Sequence, residues 1–312
     1  MNGRPRLIVG LGELLWDLLP GGRQLGGAPA NFTVMSARLG NHGVIASRVG
    51  HDALGEAARA YLAPLPADLD YLQTDEEHAT GSVSITLHDG QPEYVIHQPV
   101  AWDFLACTPE WTALAQSADA VCFGTLAQRS DVSRETIHSF LAATSQPCAR
   151  VFDVNLRKPF YGARVLRDSL QLATLLKLNE IEMPIVMSLL GLGEDSGSDD
   201  VSLLRSARLL LDHFPLQLVC ITMGSQGSLL VTREAHHRHP GIPTEVADTV
   251  GAGDAFTAAL VCFYLQGAPL AVLNEAGNRW GSWVASQRGA MPALSAEMRD
   301  AIDAQILRAP VQ

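Results

Sequence analysis

Basic residues are scarce: 22 Lys and Arg stand against 33 Asp and Glu, a formal net charge of -11. No Lys/Arg cluster stands out, and a nucleic-acid partner, which needs a basic face, is not expected. An acidic surface does not bar an anionic nucleotide, because a local nest of backbone N–H groups binds phosphate against the global sign. Long apolar runs are also lacking, and none approaches the roughly 20 residues that a membrane helix needs. The first such run, Leu7 to Leu11, is short and stops at Gly12-Glu13, which does not read as a signal peptide. There are five cysteines, Cys107, Cys122, Cys148, Cys220 and Cys262, and no C-x-x-C pair. Their odd count and wide spacing predict reduced, mostly buried thiols in a cytoplasmic protein rather than a disulfide framework.

Several familiar signatures are missing. There is no Walker A G-x-x-x-x-G-K-[ST] and no H-R-D or D-F-G pair. Gly10-Leu11-Gly12 begins like a dinucleotide fingerprint, but the third glycine is absent and an acidic residue intrudes. His236-His237-Arg238-His239 lacks the cysteine or carboxylate partners of a structural zinc site and reads as an exposed turn between strands.

What is present is a globular composition: 47% apolar and 18% charged over 312 residues. Strand and helix patterns alternate. Leu7–Gly10, Ile45–Val49, Ala120–Thr125, Val151–Val154, Leu175–Leu178 and Leu218–Thr222 read as strands. Helices are expected over Asn31–Leu39 (ended by Gly40), up to Leu62 from a cap at Asp52, and over Arg134–Ala143, Val165–Ala173, Pro184–Leu190 and Val201–Leu211. Three more close the chain: Asp254–Gln266, Leu270–Gln287 and Ala296–Leu307. Near-continuous apolar strands alternating with helices predict a mostly parallel sheet covered on both faces. Gly81–Leu87 and Glu93–His97 break the rhythm with period-two alternation about a turn at 88–92, a hairpin standing apart from the main sheet. Gly191–Asp200 is a polar, glycine-rich surface loop.

Two segments carry the strongest chemistry. In Asp248-Thr-Val-Gly251-Ala252-Gly253-Asp254, small residues directly precede an apolar helical run. Such residues let a backbone approach phosphate, and the first N–H groups of a helix form an anion hole. Asp254 beside that hole could accept a proton from an attacking hydroxyl, or could simply cap the helix. Gly26-Gly27-Ala28-Pro29-Ala30-Asn31 joins a polar loop to another helix, with Asn31 able to bond a polar ligand or serve only the cap.

Together these segments resemble the two signature regions of the PfkB carbohydrate kinases. Gly12-Glu13-x-x-x-Asp17, Asp153-Val-Asn-Leu-Arg157, Asn179-Glu-Ile-Glu182 and Thr222-Met-Gly224-Ser-Gln-Gly227 are similar to further family motifs, in the family's order. The resemblance implies a ribokinase-like three-layer α/β/α fold over residues 1–312, with a small β-sheet lid from about 12–28 and 72–102. It implies Asp254 as base and Gly251, Ala252 and Gly253 as the anion hole. Asp17, Gly26, Gly27, Asn31 and Arg157 would meet the sugar, and Asn179, Thr222, Gly224, Gly227 and Asn278 the nucleotide. Glu182 would hold Mg2+ through water. Asp248 and Val250, with carbonyls around Ala285–Ala290, would hold K+. ATP is the implied phosphoryl donor. A lid that pairs between subunits implies a homodimer. Trp102 and Phe104 either line the sugar side or pack in the core. The motifs look most like fructokinases, so D-fructose at O6 is the first expected acceptor. Ribose, 2-keto-3-deoxygluconate and nucleosides are the alternatives within the fold, and a non-catalytic sugar sensor lies outside it. A phosphosugar is disfavoured, since Leu72 to Trp102 holds no Arg or Lys.

Overall fold

The computed structural model describes residues 4–19, 21–88, 91–193, 197 and 199–308, with backbone alone for 85–88 and 91–94. The chain opens with strand β1 (Leu7–Leu11), then β2 (Leu15–Leu19) and β3 (Gly22–Gly26). Next come α1 (Ala28–Arg38), β4 (His42–Gly50), α2 (Ala53–Leu62), β5 (Ala67–Asp68) and β6 (Leu72–Asp75). The hairpin β7 (Gly81–His88) and β8 (Gln91–Ile96) precedes α3 (Pro109–Ser117) and β9 (Ala120–Phe123). Alternation continues through α4 (Asp131–Ala143), β10 (Ala149–Asp153), α5 (Ala163–Leu172), β11 (Leu175–Asn179), α6 (Glu182–Leu190), α7 (Asp200–His213) and β12 (Leu218–Thr222). Strands β13 (Ser228–Val231) and β14 (His236–His239) follow, then α8 (Ala252–Tyr264), α9 (Leu270–Ala285) and α10 (Ala296–Arg308).

The large sheet runs β14-β13-β12-β11-β10-β9-β1-β4-β5, with β6 also pairing β4. It is parallel from β12 to β6, and β13 and β14 add antiparallel at one edge. Its central strands are apolar on both faces. Val9, Val121, Phe152, Leu176 and Val219 pack into a core with α3 to α7, while Ile8, Val151, Leu175 and Leu218 pack under α8 and α9. That two-sided burial makes three layers. The small sheet runs β3-β2-β7-β8. The segment 72–102 is therefore divided: Leu72–Asp75 pairs with β4 of the large sheet, and among its described residues only β7 and β8 join the small one.

Local signals act as the residues dictate. Asp52 accepts from the Gly55 amide at 2.7 Å and from the Thr80 amide at 2.8 Å, capping α2 and tying it to the start of β7. Of the turn expected at 88–92, His88 belongs to β7 and Gln91 and Pro92 to β8, while 89–90, like 194–196 and 198 of the 191–200 loop, lie outside the described residues. One expectation needs correcting, and one pair of alternatives is resolved. His236–His239 is an edge strand, not a turn, because all four residues pair in antiparallel register with Ser228–Val231 and His239 turns inward to Glu275 at 2.8 Å. Trp102 lies in the core with no exposure, under the Arg129 guanidinium at 3.9 Å, and Phe104 stacks on His78, so neither lines the cavity described below. Helix α3, which the sequence pattern did not single out, is capped by Thr108 accepting from the Trp111 amide at 3.2 Å.

Candidate active site

Parallel strands all end on one side of the sheet, so residues just past them are brought together. Ligands in open α/β sheets bind outside these carboxyl ends. Glu13 follows β1, Asp153 ends β10, and Lys177 and Asn179 lie in the C-terminal half of β11. The starts of α1 and α8 face the same region. A cavity of about 770 Å³ lies there, walled on its far side by the small sheet. Asp17, Gly26, Gly27, Asn31, Arg157, Asp248, Val250, Gly251, Gly253 and Asp254 all line it, as do Glu13 and Lys177.

Gly27 takes φ +112° before α1, and a Cβ there would lie 2.4 Å from the Glu13 carbonyl oxygen. Only glycine lets α1 start so close to the β1 exit. The helix then aims Asn31 across the cavity, where its Nδ2 donates to Asp254 Oδ2 at 2.7 Å. Gly251 takes φ +78°, and a Cβ would meet the Ala290 Cα at 2.7 Å. The Ala252 amide turns back to the Thr249 carbonyl at 3.3 Å, and Ala252 does not line the cavity. Gly253 and Asp254, whose amides stand at helix positions without an intrahelical acceptor, both line the cavity.

Five carboxylates, Glu13, Asp17, Asp153, Glu182 and Asp254, surround two cations, Arg157 and Lys177. Burial raises Asp254 to about 6, helped by Asp153, while Asn31, Lys177 and Arg157 work against the rise. Burial also raises Glu13, to about 7, and its Oε2 has no hydrogen-bond partner. Asp17 is raised by burial and lowered by Arg157. Lys177 Nζ donates to Asp153 Oδ1 at 3.1 Å, and Thr257 Oγ1 to Asp153 Oδ2 at 3.3 Å.

The remaining predicted residues stand apart from this cavity. Asn179 and Glu182 cap α6 reciprocally: Asn179 Oδ1 accepts from the Glu182 amide at 2.8 Å, and Glu182 Oε2 from the Asn179 amide at 2.9 Å. Glu182 Oε1 accepts from the Leu156 amide at 2.8 Å, fixing the loop that carries Arg157. Thr222 pairs with Asn179 across β11 and β12. Gly224 and Gly227 have positive φ, and a Cβ on Gly227 would strike the His239 carbonyl oxygen at 2.0 Å. Asn278 is buried, donating to Ser228 Oγ at 2.7 Å and the Asn274 carbonyl at 2.8 Å. Asp248, by contrast, lines the cavity; it accepts from the Val250 amide at 3.0 Å and the Gly289 amide at 3.1 Å, which ties the α8 approach to the loop after α9.

Sequence reasoning passed over Glu13, Asp153 and Lys177 as individual site residues. The available signal was a charge inside or at the end of an apolar strand, as in Leu175-Leu176-Lys177-Leu178.

The chain resembles known proteins along nearly its whole length. It is 32% identical to a fructokinase of Klebsiella pneumoniae over 313 residues, 94% of this chain and 97% of that protein. It is 29% identical to a fructokinase of Escherichia coli, over 91% of this chain and 94% of that one. Among solved structures, the uncharacterized sugar kinase PH1459 from Pyrococcus horikoshii in complex with ATP matches with a TM-score of 0.76. That match has 28% identity and covers 91% of this chain and 94% of that one. The fold is thus ribokinase-like, as the motifs implied. The family model for pfkB family carbohydrate kinases matches residues 21–297, and the chain belongs to that family.

Proposed function

We propose that this carbohydrate kinase transfers the γ-phosphoryl group of ATP to a hydroxyl of an unphosphorylated sugar, D-fructose at O6 first among them. The observation that carries this reading is the Asn31–Asp254 contact at 2.7 Å, between the first turns of two helices on one cavity. Asn31 leaves one oxygen of Asp254 for another partner. An acceptor hydroxyl placed between Asp254 and Asp17 gives up its proton to Asp254 as its oxygen bonds to phosphorus and the bond to the ADP oxygen breaks. The Gly253 and Asp254 amides meet the charge on the transferring group. Asp17, Gly26, Gly27, Asn31 and Arg157 orient the acceptor.

Among the described residues no group of three or more His, Cys, Asp or Glu could cage a metal. That fits Mg2+, which keeps several waters and arrives on nucleotide phosphates. Both Glu182 oxygens already accept backbone N–H groups, so Glu182 would hold the ion through water, and the ion would neutralise phosphate charge. The laced loops of Asp248–Val250 and Ala285–Gly289 are where K+ would sit. Thr222, Gly224, Gly227, Asn179 and Asn278, along the β12 edge, are the nucleotide side of the reading.

Fructose is favoured by relatives named fructokinase at 29% and 32% identity. The absence of Arg and Lys from Leu72 to Trp102 also argues against a phosphosugar. Magnesium- and ATP-dependent ADP release, measured across sugars and nucleosides with and without potassium, tests this. Strong turnover of fructose is expected. Preference for another acceptor overturns the fructose assignment, and silence across the panel overturns the kinase reading.

A further inference from the structure

We propose that Lys177 is a further catalytic residue, a cation seated under the first turn of α8 that contacts the transferring phosphoryl group. This rests on the phosphoryl-transfer reading above.

A lysine inside an apolar strand must be held by something. The Lys177 side chain is 11% exposed. An ammonium carries three N–H donors. Among the described residues one is used, on Asp153 at 3.1 Å. The others belong to a group that lines the cavity with Gly253 and Asp254. A lysine that served packing alone would spend its donors on the protein, since buried polar groups are normally satisfied.

The anchor is built to keep the ammonium there. Thr257 donates to Asp153 at 3.3 Å or to the Gly253 carbonyl at 2.9 Å, so its hydroxyl sits between the lysine's partner and the first turn of α8. Position 253 has to leave space as well: a Cβ there would lie 3.2 Å from Lys177 Nζ. Burial alone would pull Lys177 down, but Asp153, Glu182 and Asp254 together hold it above its ordinary value. It therefore stays charged at any pH where Asp254 is a carboxylate. Three carboxylates around one ammonium leave the spot short of positive charge when it is empty, and more so when phosphate arrives. During transfer the acceptor oxygen bonds to phosphorus, the bond to ADP breaks, and the acceptor proton goes to Asp254. Lys177 keeps its three protons.

The test compares ADP with adenylyl imidodiphosphate by calorimetry, on wild type, Lys177→Met, Lys177→Arg and the double variant Lys177→Met/Asp153→Asn. The double variant removes both charges, so no lone carboxylate is left buried if the single variant fails to fold. In Lys177→Met and in the double variant, the triphosphate analogue should bind about tenfold more weakly, with ADP affinity nearly unchanged. Their kcat should fall by about 100-fold. Lys177→Arg should restore part of both. Equal losses for the two nucleotides, or a double variant with wild-type kcat, would overturn the proposal. The underlying reading is judged on wild type alone: if it turns over no sugar or nucleoside of the panel, the kinase reading has failed, whatever the variants do.

Discussion

Asp254 is lifted to about 6, first by burial and then by Asp153. A general base must be ionised, so kcat/KM should rise with pH through about 6 and level off above it. A pH–rate profile with its acid limb near the ordinary carboxylate value of about 4 would contradict this. Asp254→Asn should lower kcat by about 10²- to 10⁴-fold while ATP affinity holds, read by steady-state kinetics and calorimetry. Glu13 gives a stability prediction. Its folded value of about 7 exceeds the ordinary glutamate value of 4.5, so between these the folded state binds more protons than the unfolded one. Stability is then lost as pH rises through that window and stays lower above it. Glu13→Gln should raise the melting temperature at pH 8 more than at pH 5, an effect on the order of a few kcal/mol. Equal shifts at both pH values would rule it out.

Two devices at element scale set the site. Gly251, with φ +78° against Ala290, lets α8 begin at the cavity wall. Gly251→Ala should cost about 1–3 kcal/mol in strain and reduce turnover with it, as denaturant unfolding and kinetics would show. The second device is the Arg129–Asp103 pair, at 2.7 Å and 2.8 Å, with both side chains at most 5% exposed. It lies against Trp102 and fastens the segment after β8 to the body. Arg129→Met strands a buried carboxylate and should cost about 3–5 kcal/mol by urea unfolding. The capping pair Asn179 and Glu182 shows how a motif can be read in the sequence while its local work is not. The N-x-x-E spacing is visible, yet its role in closing α6 and pinning Leu156 needs the tertiary contact.

At the scale of the molecule, the small sheet borders the cavity through Leu15, Asp17, Val83 and Ile96. We infer that it closes as a lid, excluding water from the transferring group. The radius of gyration from solution scattering should fall when sugar and a non-hydrolysable nucleotide are both present. An unchanged radius would count against closure. No described helix is long and apolar enough to cross a membrane.

Contiguous features were decided by the chain itself. Alternating apolar strands and helices imply the parallel sheet, and Gly251-Ala252-Gly253-Asp254 and Gly26 to Asn31 place small residues and one polar group within a single turn. Such patterns depend on backbone conformation and periodicity, which are local. What folding alone decided was which distant residues meet. Asn31 reaches Asp254 across 223 positions, and Lys177 is paired with Asp153 from the neighbouring strand. Trp102 went to the core rather than the cavity because Arg129 and Gly81 close over its ring, and His236–His239 became a strand because β13 offered an edge. The raised values of Glu13 and Asp254 belong to that second class as well. Burial and charge at a site sum over neighbours from several elements, and no single segment of sequence contains them.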